Sequence, residues 1–151
     1  MSVETTRVST VRRDTTAAGV MDYLHTRREL STFLALLEER HVSVTGCTVF
    51  APTNRAFQRL FGLNVMHVVT REMMDNMVVE AEIPPVQVVE TGFHELYTTR
   101  GGGDVEVKNT ADKVVVTDTR SHSSSIVQAT DTRDGVVYVI DGVLMNTAFS
   151  I

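Results

Sequence analysis

The sequence predicts an α+β domain with its helices in the first half of the chain and its strands in the second. Apolar stripes of helical period lie in the first half. Short runs of β-branched residues, separated by turn residues, fill the chain from Val86 onward. That segregation favours α+β over a doubly wound fold. The third observation is Asp134-Gly135-Val136-Val137-Tyr138-Val139-Ile140-Asp141-Gly142-Val143-Leu144, five β-formers between two Asp-Gly turns. It is apolar at nearly every position, so both faces need cover and the strand belongs in the middle of a sheet. At 151 residues the chain reads as one domain over 17–151, preceded by an arm at 1–16.

Val3, Val8 and Val11 alternate weakly in the arm, which reads equally as an edge strand or as a disordered segment, and Arg7, Arg12 and Arg13 suit a solvated tail. A short helix is expected over 17–27, with Val20, Met21 and Leu24 on one side. Leu30, Phe33, Leu34 and Leu37 recur at i, i+3, i+4 and i+7, the stripe of a helix over 30–39 capped by Ser31 or Thr32. Residues 42–50 supply a strand. Pro52 keeps Ala51 extended, and Thr53 or Asn54 can cap a helix to Phe61 that buries Ala56, Phe57 and Leu60. Residues 70–79 read as a helix with Met73, Met74, Met77 and Val78 on its core face. Strands are expected at 86–89, 93–98, 105–107, 114–117 and 125–129. Gly101-Gly102-Gly103 reads as a β-link, because no Gly-Lys-Ser/Thr follows it, and Asn109-Thr110-Ala111-Asp112 as a hairpin turn.

Thr48-Val49-Phe50-Ala51-Pro52-Thr53-Asn54-Arg55-Ala56-Phe57 and the 134–144 stretch together resemble the paired signature segments of the fasciclin domain family. In that family the first reads close to Thr-Val-Phe-Ala-Pro-Thr-Asp/Asn-x-Ala-Phe. The second reads close to Asn-Gly-Val-Val-His-Val-Ile-Asp-Gly-Val-Leu. The match rests on Thr48, Phe50, Pro52, Thr53, Asn54, Phe57, Gly135, Val139, Ile140, Asp141 and Gly142. The resemblance implies a wedge of two packed β-sheets with helices along one edge. It also implies a non-enzymatic module, without cofactor or metal, for cell adhesion or surface and matrix association through protein or glycan contacts. The expected address is extracellular or cell-surface, and the expected state a monomer with at most weak self-association. Animal members carry a Tyr-His segment and an Asp-Ile pair tied to integrin-dependent adhesion. Those positions fall here on Glu80 and Ala81, and on Ala129 and Thr130. Neither element is present, nor is an Arg-Gly-Asp triplet. The alternative expectation is an intracellular or virion-associated structural module on the same fold.

Composition excludes several other classes. A net charge of −5 argues against nonspecific nucleic-acid binding, which needs a basic surface. No stretch approaches the roughly 18 apolar residues of a membrane span. Residues 1–16 lack the apolar core of a signal peptide, and no Asn-x-Ser/Thr acceptor occurs. Cys47 is the single cysteine and is expected to be buried and unreactive. His25, His41, His67, His94 and His122 are scattered without metal-ligand spacing. Ser121, Ser123, Ser124 and Ser125 lack a nucleophile frame and read as a polar loop, while Glu80 and Glu82 read as a solvated edge. Asp134 and Asp141 read as turn formers.

The central-strand assignment is testable. Ile140→Ala should lower stability by about 2–5 kcal/mol in a denaturant melt, the cost of a large-to-small change in a closed core.

Overall fold

The computed structural model describes residues 11–110 and 112–145. The arm residues before Val11, Ala111 of the hairpin turn and the residues after Met145 lie outside them. Among the described residues the order is β1 (Arg12–Thr15), α1 (Val20–His25), α2 (Ser31–Glu39), β2 (Cys47–Pro52), α3 (Asn54–Phe61), α4 (Val65–Val68), α5 (Arg71–Asp75), β3 (Val78–Val79), α6 (Pro85–Val88), β4 (His94–Thr98), β5 (Asp104–Asn109), β6 (Val114–Thr117), β7 (Ser123–Thr132) and β8 (Gly135–Ile140). Single 3-10 turns, Arg28–Leu30 and Gly62–Asn64, precede α2 and α4.

The fold is α+β, and its strands curl into a nearly closed wedge. They join in the order β3-β2-β8-β7-β6-β5-β4, with β1 added to β7. The two signature segments become neighbours: β2 and β8 pair in parallel from Cys47↔Gly135 to Pro52↔Ile140. Every residue of both strands is buried. That agrees with the continuous apolar pattern, since β8 also pairs antiparallel with β7 on its other side. Phe50 and Tyr138, opposite each other in this register, stack with ring centroids 5.6 Å apart. Gly135 is required by crowding, since a Cβ there would lie 2.7 Å from both the Cys47 carbonyl oxygen and a Val20 methyl.

β7 is the corner of the wedge. Its register slips between Ile126 and Gln128, which leaves Val127 as a bulge. Before the bulge, one edge of β7 pairs with β6; after it, β1 takes that edge in parallel, from Arg12↔Gln128 to Thr15↔Asp131. A Gln128 Nε2 to Asp14 Oδ2 hydrogen bond of 2.6 Å adds to this pairing. Part of the expected arm is thus an edge strand. At the opposite ends of the sheet, the Arg100 backbone N–H donates to the Val78 carbonyl at 2.7 Å and draws the β4–β5 link onto β3.

Four expectations are corrected. Neither Ser31 nor Thr32 caps α2. The Asn54 side chain does so from the start of the next helix, α3: its Oδ1 accepts from Thr32 N at 2.8 Å, and its Nδ2 donates to Arg28 O at 2.9 Å and to Ser31 Oγ at 3.0 Å. Thr53 caps α3, accepting from Ala56 N at 3.2 Å, which leaves Asn54 free for this task. Leu60 lies on the outer face of α3, 52% exposed. The helix expected over 70–79 starts as foreseen, with Thr70 accepting from Met73 N, but ends at Asp75, because Val78 and Val79 pair with the free edge of β2. Residues 86–88 are helical where a strand was expected over 86–89: Pro85 opens α6, in the first turn, where an N–H has no intrahelical partner to lose, and Val88 is buried. Helix α4 had no sequence signal.

Because Asn54 supplies both acceptor and donors to the start of α2, Asn54→Ala should cost about 1–2 kcal/mol, the range for a lost cap. Thermal melts beside Arg55→Ala, an exposed neighbour without a cap role, would check it.

Candidate functional site

The positions tied to adhesion in animal relatives fall on two unlike environments. Ala129 and Thr130 lie within β7 and have no exposed surface. The Thr130 hydroxyl is hydrogen-bonded to Tyr23 Oη at 2.9 Å, so this position serves the α1–β7 contact. Glu80, Ala81 and Glu82 are exposed, in the connecting segment between β3 and α6.

That segment is held from below by two hydroxyls of the signature strands. Thr48 Oγ1 donates to the Ala81 carbonyl at 2.6 Å and accepts from Ile83 N at 2.8 Å. Tyr138 Oη donates to the Ile83 carbonyl at 2.7 Å. Thr48 and Tyr138 are buried, as is Ile83 between them. Burial pushes the Tyr138 phenol far above its ordinary range, so it remains a neutral donor. The result is an exposed strip whose backbone is held from within the fold.

Glu80 is not free of the fold. Arg100 Nε donates to its Oε2 at 2.9 Å, Arg100 Nη2 to Cys47 Sγ at 3.3 Å, and Asp75 lies 3.9 Å from Nη1. Cys47 is buried, and desolvation pushes its thiol up despite the nearby guanidinium. A thiol held neutral is a poor nucleophile. The strip therefore presents one internally paired carboxylate, Glu80, and one solvent-facing carboxylate, Glu82, beside a methyl group.

The remaining candidate groups serve local structure. Asp134 accepts from Val20 N at 2.9 Å, and Asp141 from Ser125 N at 2.7 Å. Ser123 and Ser124 begin β7 instead of a loop, Ser123 against Thr117 Oγ1 at 2.8 Å and Ser124 buried beneath Gly142. Asp118 carries no sequence signal, yet its buried carboxylate accepts from the backbone N–H of Arg120, His122 and Met145. A hollow of about 350 Å³ beside it is lined by Arg59, Leu60, His122, Ser123, Val143 and Met145, among others. Among the described residues, no three His, Cys, Asp or Glu side chains are grouped to hold a metal, and no helix is long and apolar enough to cross a membrane. The Thr48 and Tyr138 hydroxyls were missed as anchors because both residues also suit a strand. Only a hydroxyl at an otherwise apolar, two-sided strand position hinted at them.

The family profile described as Fasciclin domain matches residues 6–146. Fasciclin-1 of Drosophila melanogaster is 31% identical over 137 residues. That match takes in 85% of this chain and 19% of the fly protein, so the chain spans about a fifth of that relative. Among solved structures, a FAS1 domain pair from the insect cell adhesion molecule Fasciclin I superposes with a TM-score of 0.58 at 15% identity, over 77% of this chain and 45% of the other.

The hydroxyl anchor gives a direct test. Thr48→Val keeps the shape but strands a carbonyl and an N–H, and should cost about 1–3 kcal/mol, whereas Thr48→Ser should cost less. Paired denaturant melts would distinguish them.

Proposed function

This chain belongs to the fasciclin domain family, and we propose that it acts as a non-enzymatic adhesion module, joining a surface or matrix through protein or glycan contacts outside the cell or at its surface. The observation that carries the reading is the family match over residues 6–146. The geometry supports it by offering a rigid, exposed strip at Glu80, Ala81 and Glu82 on a buried anchor, a position where affinity is gained without ordering a loop. The lack of a Tyr-His pair there, together with buried Ala129 and Thr130, supports recognition by a mode other than the integrin-linked one.

A second reading, an intracellular or virion-associated structural module, draws support from the same strip. Its Glu80 is engaged by Arg100 within the molecule, which suits a position under structural selection more than one reserved for a partner.

Immobilised protein should hold cells or matrix above an inert protein control, and Glu82→Arg should reduce attachment severalfold with no change in melting temperature. Attachment equal to the control overturns the adhesion reading. Attachment unaffected by Glu82→Arg moves the contact away from the strip.

A further inference from the structure

The segment that runs from α3 through α4 to the first residue of α5 is chemically unlike the rest of the molecule. From Asn54 to Arg71 the chain carries Arg55, Arg59 and Arg71 and no Asp or Glu, within a protein of net charge −5. All three arginines are exposed. Arg55 and Arg59, four residues apart on α3, share one face. Arg40 adds a fourth cation beside α4, its Nε donating to Val69 O at 3.0 Å and its Nη2 to Met66 O at 2.5 Å. Arg59 donates to the Asp141 backbone carbonyl at 2.8 Å. Among the described residues, no carboxylate forms an ion pair with any of the four.

Apolar side chains are exposed along the same segment. Leu63 is 91% exposed, Leu60 52% and Val68 44%. Leu63 stands in the 3-10 turn after α3, directly after Gly62, whose φ of +62° breaks the helix. Phe61, Val65 and Met66 lie half-buried beneath and tie the projection to the core. The turn is therefore a supported protrusion.

We infer that this surface docks on an anionic lipid bilayer, with Leu63 entering the headgroup–acyl boundary and Arg55, Arg59 and Arg71 against lipid phosphates and carboxylates. The charge is complementary to such a surface, where each cation contributes about fivefold to binding. The shape favours lipid over an acidic protein. A side chain this exposed would need a prebuilt pocket in a folded partner, whereas acyl chains accept a protrusion without one. Cations around an apolar tip are the two combined signals that interfacial binding requires. The acidic remainder does not forbid docking, because at 0.1 M salt a Debye length of about 10 Å confines attraction to the surface facing the bilayer. This inference goes beyond the adhesion reading and does not depend on it.

Co-sedimentation at 0.1 M salt with vesicles of phosphatidylcholine alone, or mixed with phosphatidylserine, tests it. The expected result is pelleting with the mixed vesicles only, weakened by added salt. Leu63→Asp should reduce binding about tenfold or more and Arg55→Glu about fivefold, both with unchanged melting temperatures because neither side chain is buried. Pelleting no greater with phosphatidylserine than without it overturns the inference, as does Leu63→Asp binding like the unaltered protein. Neither result bears on cell or matrix attachment, which is measured separately.

Discussion

The structure depends on one contact, the parallel pairing of β2 with β8. These strands are more than eighty residues apart in sequence at every pairing, from Cys47↔Gly135 to Pro52↔Ile140, and every residue in both is buried. Parallel strands cannot be joined by a tight turn, so the intervening chain must leave and return. It leaves as helices and returns as hairpins. Helices α1 and α3 and the 80–83 strip lie against the pair, and the hairpins extend the sheet from its other side. Closing so long a loop costs entropy before any contact forms, so burial along the whole pair has to offset it. This explains why the two most recognisable stretches of the sequence are these two strands.

What could be read from the sequence follows from that. β8 announces itself by unbroken apolar character between two Asp-Gly turns, and β2 by the Pro-Thr-Asn step that ends it. The helix stripe of Leu30, Phe33, Leu34 and Leu37 was legible because one period fits it and no other does. The misreadings arose where a local pattern fits two answers. Met73, Met74, Met77 and Val78 are buried in either a helix or a helix followed by a strand, and only the unpaired edge of β2 decides. Asn54 looked like a cap for its own helix, yet it caps another, a relation between residues more than twenty apart. Leu60 is apolar on a helix next to the core, but the turn of α3 points it outward.

The candidate strip was legible in its side chains and illegible in its support. Glu80 and Glu82 were visible as exposed acids. Nothing in single-residue chemistry revealed that Thr48 and Tyr138 hold the backbone under them, because a buried hydroxyl gains meaning only from what lies across from it. The same holds for Arg100, whose guanidinium gathers Glu80, Asp75 and the Cys47 sulfur from three separate segments. The molecule thus separates its tasks. The signature strands serve packing, while Glu82 and the α3–α4 turn stand exposed outside that packing.

The placement of β1 has a mechanical consequence. β1 runs parallel to β7 on one edge, and β8 runs antiparallel to it on the other. The chain therefore enters β1 and leaves β8 at the same end of the sheet, beside Gln128 and Ile126 respectively. Tension drawn across those two points would not shear long ladders all at once. It would open them like a zipper, one rung at a time, and the four-residue β1 would yield before the six-residue β8. Under such a load the first strand would give up slack while the paired core at β2 and β8 stayed closed.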